Sequence, residues 1–211
     1  MRLRDLNGRR WLSALAAMLV SATILHAALP PDADTSGPTS LTGQFLIASP
    51  QMRGSAFAQT VILLAQHNRD GALGIVINRP IDRRSIASLL EALGADASGV
   101  NDSVRIFLGG PVSPDTVFVV HSADYHSADT LDIDGRVALS SGPDVLRDIG
   151  LGKGPRKRLV AFGYAGWASQ QLDDELARGD WYTEAEDPVL VFDDDRSKVW
   201  ADALARHNTD R

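Results

Sequence analysis

LTGQFLIASPQMRGSAFAQTVILLAQHNRDGALGIVINRP, residues 41–80, is the stretch from which the rest of the chain is read. Two apolar, β-branched runs, Val61–Ala65 and Leu73–Ile77, flank His67-Asn68-Arg69-Asp70-Gly71, residue types that favour tight reversals. The pattern predicts a β-hairpin from Thr60 to Ile77 with a loop of about five to seven residues. Phe45–Ala48 adds a short strand upstream, and Asn78-Arg79-Pro80 closes the unit.

Working outward, Arg84–Leu93 carries apolar residues at 86, 89, 90 and 93, the spacing of an amphipathic helix, with Ser85 near its start and Gly94 as a C-cap. Further strands are expected at Val104–Leu108, Val117–His121, Val137–Leu139, Leu159–Phe162 and Val189–Phe192. Helices are expected at Asp144–Ile149 (capped by Ser141 or Asp144), Ser169–Arg178 and Ser197–Ala205, and Ser122–Asp134 reads as a polar loop. Strands come in runs interrupted by helices rather than in strict alternation, so the fold class is α+β in a single domain.

Composition narrows the chemistry. The 211 residues contain no cysteine, which excludes disulfides, thiolate metal sites and cysteine nucleophiles. The net charge is −6, yet residues 1–28 carry Arg2, Arg4, Arg9 and Arg10 against Asp5. The body is therefore more acidic than the whole and a poor electrostatic match for nucleic acid, whose binding rests on cations that displace phosphate counterions.

A basic start followed by the charge-free segment 11–29 has the form of an export signal, with a membrane anchor or an unused extension as alternatives. On the first two readings the body is exported, periplasmic or membrane-anchored; on the third it is cytoplasmic. Residues 29–40, rich in Pro, Ser and acids, read as a disordered linker, and the domain occupies 41–211.

Several groups carry chemistry in principle. Gly109-Gly110-Pro111-Val112 leaves a strand and can expose backbone N–H groups, but it lacks the pattern and the lysine of a phosphate-binding loop. Gly163-Tyr164-Ala165-Gly166-Trp167 followed by Ser169-Gln170-Gln171 reads as strand–turn–helix, with a helix N-terminus beside two aromatic rings. His67 lies in the hairpin turn, while His121, Asp124 and His126, like Asp193-Asp194-Asp195, have metal-binding side chains without an established spacing. Neither Ser49 nor Ser169 sits in a G-x-S-x-G elbow. The dense basic run is Lys153, Arg156, Lys157 and Arg158, ahead of the apolar strand at 159–162; it is either a phosphate contact or a solvated loop.

Taken together, LTGQFLIASP (41–50), His67-Asn68, GALGIVINRP (71–80), GGPV (109–112), GYAGW (163–167), QLDDEL (171–176) and Trp181 resemble, in order and over residues 41–205, the AlgH/YqgE family of bacterial proteins. The resemblance implies a single α+β domain whose mixed sheet is bifurcated and partly barrel-like, surrounded by helices. Members bear the label of transcriptional regulators, and no catalytic residues come with the family. The departure is the N-terminal extension, since members usually begin near the Leu41 motif.

The expectation is a non-catalytic regulatory or interaction protein. Its protein or small-molecule partner would sit in a glycine-lined cleft formed by His67, Asn78, Gly109, Gly110, Pro111, Gly163, Tyr164, Gly166 and Trp167, without a metal or cofactor. The alternatives are a DNA-binding regulator acting through Lys153, Arg156, Lys157 and Arg158, and a hydrolase using His67 or His121. Membrane association through residues 11–29 belongs to the anchor reading.

Overall fold

One strand, β9 (Arg158–Ala168), belongs to both branches of the sheet, and the architecture follows from it. In this computed structural model, which describes residues 40–209, the first half of β9 runs parallel to β5 (Ser103–Leu108), pairing Ile106 with Val160 and Leu108 with Phe162. On its other side the same half pairs antiparallel with β6 (Val112–Ser122). The second half leaves β5 and pairs antiparallel with β3 (Gly71–Val76), Gly74 opposite Ala165 and Gly71 opposite Ala168.

The change of partner happens at Gly163, whose φ of +70° is open to glycine at little cost. A Cβ there would stand 2.4 Å from the Gly110 carbonyl oxygen. Gly109 fills the fork: its N–H donates to the Phe162 carbonyl (2.8 Å) and its carbonyl accepts from the Val76 N–H (2.9 Å).

From β3 the sheet continues through β2 (Val61–Asn68) and β1 (Gln44–Ala48) to β10 (Trp181–Ala185). From β6 it continues through β8 (Val137–Ser141) to β7 (Thr130–Asp132), while β4 (Pro80–Ser85) pairs with β5 on the branch. Among the described residues this makes one curled, bifurcated sheet of ten strands, as the α+β expectation and the family resemblance imply.

The five helices of the described residues are α1 (Ile86–Ala92), α2 (Pro143–Gly150), α3 (Gln171–Ala177), α4 (Pro188–Val191) and α5 (Val199–Thr209). Helices α1 and α2 bury Ile86, Leu90, Val145 and Leu146 against Val104, Val119 and Val160 of the branch. Helices α4 and α5 cover Phe45, Leu63, Ile75 and Leu159 with Val191, Val199 and Ala203. None of the described helices is long and apolar enough to cross a membrane. The expected leader (1–28) and nearly all of the linker (29–40) lie outside the described residues.

Several boundaries differ from the sequence reading. The hairpin turn is Arg69-Asp70 alone, because the Asn68 side-chain oxygen accepts from the Asp70 N–H (2.8 Å) and lets both strands run to the turn. The helix expected from Arg84 starts at Ile86, with Ser85 as N-cap accepting from the Ser88 N–H, and Pro80–Ser85 is strand. Helix α2 is preceded by Gly142 rather than capped by Ser141 or Asp144. Gly163–Trp167 is strand, not turn, and the loop expected at Ser122–Asp134 contains β7. The strand expected at Val189–Phe192 is helix α4, started by Pro188 at its first turn and by Asp187, which accepts from the Val189 N–H. An apolar run of four residues fits either period, so the flanking cap decides.

Candidate functional site

The nine residues expected to share a glycine-lined cleft do not gather around one concavity. Gly109, Gly110 and Gly163 are buried against backbone at the fork: a Cβ on Gly109 would lie 2.2 Å from the Gly163 carbonyl oxygen, and one on Gly110 2.1 Å from the Tyr164 carbonyl carbon. Close packing of strands accounts for these glycines. Asn78 is equally committed, accepting from the Val61 N–H (3.0 Å) and donating to the Gln59 carbonyl (2.9 Å). Pro111 is exposed at the start of the connection into β6.

Tyr164, Gly166 and Trp167 do line a shared groove, of about 430 Å³, with Gln66, Asn68 and Val112. Trp167 keeps its polar atom for the protein. Its indole N–H and that of Trp181 both donate to Glu175 Oε2, each at 2.8 Å, while the Gln171 amide donates to Oε1. This carboxylate fastens α3 to β9 and β10. The backbone N–H of Ala168, the last residue of β9, is taken by the Gln171 side chain, and the α3 N-cap, Gln170, makes no side-chain capping bond. His67 accepts the Leu41 N–H on Nδ1 (3.1 Å) and its own N–H donates to Thr42 Oγ1. It ties the beginning of the described chain to β2.

The other histidine candidate is interior. His121 is fully buried, with Nε2 2.9 Å from Ser140 Oγ and Nδ1 2.9 Å from the Ser122 carbonyl oxygen. Burial holds its pKa below the ordinary value, so it stays neutral near pH 7. Ser140 in turn meets Thr130 Oγ1 (2.8 Å), which makes the chain of groups a crosslink between β6, β7 and β8 rather than an accessible nucleophile and base. Asp124 is held by Arg156 and Ser122, and Asp193 accepts from the Asp195 N–H.

The basic run fares differently. Lys153 is exposed in the loop after α2 and is not among the lining residues, but Arg156, Lys157 and Arg158 line a cleft of about 460 Å³ together with Arg83 of β4, Arg105 of β5 and Arg196 from the turn before α5. Six cations thus meet one carboxylate, Asp194, in a chain whose overall charge is −6.

Neutral groups position much of this charge. Arg83 Nη1 donates to Ser103 Oγ (3.0 Å), and Arg105 Nη1 to the Asp194 carbonyl oxygen (3.1 Å). Arg196 is the deepest. Its Nη1 donates to the Val191 carbonyl (2.8 Å) at the end of α4, and its guanidinium lies 5.2 Å from the centre of the Phe107 ring. Burial pushes Arg196 below its ordinary pKa; Asp193 and Asp194 work against that shift and Arg105 adds to it. Lys157 Nζ stands 6.0 Å over the Phe192 ring.

Sequence reasoning found one edge of this cleft and missed the rest. Arg105 had a signal, as the outward residue of the alternating run Ser103–Leu108, and Arg83 stood in the polar stretch now seen as β4. Arg196 had none, because it reaches the cleft only through the fold of the 192–198 turn.

The comparisons agree with this architecture. The family described as DUF179, AlgH-like, matches residues 45–211. A UPF0301 protein of Methylococcus capsulatus is 43% identical over 175 residues, covering 83% of this chain and 95% of that protein. Another, from Afipia carboxidovorans, is 40% identical over 190 residues, covering 86% and 90%. The solution structure of the AlgH protein from Pseudomonas aeruginosa superposes with a TM-score of 0.68 at 40% identity, over 82% of this chain and 92% of that one. A crystal structure of a Corynebacterium diphtheriae protein shares the fold at 21% identity, with a TM-score of 0.62 over 82% and 90%. With the forked sheet, the motifs that build it and these matches in agreement, this chain belongs to the AlgH-like UPF0301 family.

Proposed function

We propose that the protein works by binding rather than by catalysis, and that its ligand or partner is anionic and docks in the basic cleft. The observation that carries this reading is the gathering of Arg83, Arg105, Arg156, Lys157, Arg158 and Arg196 around one concavity of an otherwise acidic chain. Folding by itself favours mixing charges of both signs over a surface. A concave cluster of one sign concentrates counter-ions and draws in a ligand of the opposite sign.

The groove of Tyr164, Gly166 and Trp167 is the weaker site. Gly166 has a packing reason, since a Cβ there would come within 2.9 Å of the Tyr164 ring.

Retention on immobilised heparin tests the proposal. A chain with a sequence pI near 5.3 passes through such a column at pH 7.5 unless it presents a local basic site. The wild type is expected to be retained and eluted by salt, and the Arg105→Glu/Lys157→Glu variant to flow through. Equal behaviour of the two proteins removes the cleft from consideration.

A further inference from the structure

Resting on that reading, we infer that the cleft is a site for a small, multiply phosphorylated molecule, one that packs three or more negative charges into a compact group.

The number of unanswered charges comes first. Among the described residues, Arg156 and Arg158 each have an aspartate nearby, Asp124 at 3.2 Å and Asp102 at 3.5 Å. Arg83, Arg105, Lys157 and Arg196 form no ion pair within 4 Å among the described residues. One carboxylate, Asp194, lines the cleft against them. A ligand with a single negative charge would leave most of this field unbalanced.

Register sharpens the point. Arg83 and Arg105 are directly opposite each other across the β4–β5 ladder. Like charges in that relation destabilise a strand pair, whereas an anion shared between them would reverse the sign of the interaction.

The arginines are also prepared for it. The carbonyl and hydroxyl oxygens of Ser103, Asp194, Leu190 and Val191 orient three guanidinium groups without neutralising them. Each guanidinium has five N–H donors in a fixed fork, so donors remain after the anchoring bonds are made. The buried Arg196 Nε–H has no hydrogen-bond partner among the described residues.

Size argues against a polymer. The cleft's volume of about 460 Å³ falls in the range of small-molecule sites. Duplex DNA is held instead by phosphate contacts spread along a backbone, usually beside an element that enters a groove. Here the cations converge on one concavity, and the fork geometry of arginine suits the tetrahedral oxygens of phosphate.

The experiment is isothermal titration of the full-length protein with inorganic tripolyphosphate, with citrate as a compact polyanion lacking phosphorus, at low and moderate salt. The expected result is saturable one-to-one binding of tripolyphosphate, at least tenfold tighter than citrate and weakened at higher salt. Arg105→Gln/Lys157→Gln, both at exposed positions, should weaken it at least tenfold while circular dichroism stays unchanged. Arg69→Gln, in the hairpin turn, should leave it intact.

Equal affinity for citrate would overturn the phosphate assignment. Undiminished binding by the double variant would overturn the location. Heparin retention without tripolyphosphate binding would overturn the small ligand and keep the anionic-partner reading, with a short duplex as the next titrant. Loss of both would overturn both.

Discussion

Replacing Glu186 by Gln should remove a pH dependence of stability that the wild type carries between pH 6 and pH 8. Glu186 is only 3% exposed, and Arg136 Nη2 stands 2.8 Å from its Oε1 and 3.0 Å from Asp134 Oδ2. Burial raises the Glu186 carboxyl to about 8, helped by the neighbouring Asp134 carboxylate, with Arg136 opposing. Burial would raise Asp134 as well, but the neighbouring Glu186 carboxyl and hydrogen bonds from the Val137 and Arg136 N–H groups hold it at about 2. Between those values the pair carries one proton, and it resides on Glu186.

An unfolded glutamate loses that proton near 4.5. The stability gained from Glu186 is therefore whole below pH 4.5 and drains away as pH rises through 8, at about 1.4 kcal/mol per pH unit. From pH 6 to pH 8, with the folded group half ionised at the upper end, the loss comes to about 2 kcal/mol. Asp134 does not titrate in this window, and whatever the buried His121 contributes is common to the two proteins. Glu186→Gln keeps the shape and a donor for Asp134 but has no proton to lose. Urea unfolding at pH 6 and pH 8 should show the wild type losing about 2 kcal/mol more than the variant over this interval. Parallel pH dependences of the two proteins would refute the reasoning and place the shared proton elsewhere.

Glu175→Ala strips the acceptor from two indole N–H groups, on Trp167 and Trp181, that are 7% and 3% exposed. At about 1–2 kcal/mol for each stranded donor, it should cost about 2–4 kcal/mol in urea unfolding and alter the tryptophan emission, with Glu175→Gln milder. Gly163→Ala combines a φ of +70° with a Cβ 2.4 Å from the Gly110 carbonyl oxygen, and should cost at least about 3 kcal/mol. Gly179→Ala also has a positive φ but meets nothing within 4 Å, and should cost about 1 kcal/mol in the same assay. Similar losses for the two variants would deny the fork its steric role.

The fold was legible where local signals agree. Phe45–Ala48, Val61–Ala65 and Leu73–Ile77 are long, apolar and bounded by turn residues, so their strands follow from the chain itself. The fork was not legible as geometry. Glycines at 109, 110 and 163 announce close approach or unusual φ, but which backbone approaches is decided by pairings far apart in sequence, Gly109 with Phe162 and Val76. The same glycines therefore read as a ligand cradle. The cleft was half legible for the matching reason: three of its cations are consecutive at 156–158, and three arrive from positions 75, 53 and 38 residues from Arg158 in the sequence. Composition even pointed away from it, because a net charge averages over what a fold can concentrate.

Arg105 brings the costs of that concentration into one measurement. It sits opposite Arg83 in the ladder and beside Arg196, with no carboxylate of the described residues within ion-pair distance, and its bond to the Asp194 carbonyl is the contact that holds it. If the residue served stability, Arg105→Gln would weaken the ligand-free protein. If it is kept for an anion, the substitution relieves repulsion across the strand pair, so the ligand-free variant should be slightly more stable than the wild type while binding tripolyphosphate less tightly. The gain should be largest at low ionic strength and disappear near 1 M salt, where charges more than about 3 Å apart are screened. Thermal unfolding at 20 mM and 1 M NaCl, each with and without tripolyphosphate, separates the two cases. Destabilisation of the ligand-free variant at low salt would make Arg105 a structural residue and deprive the cleft of its clearest sign of purpose.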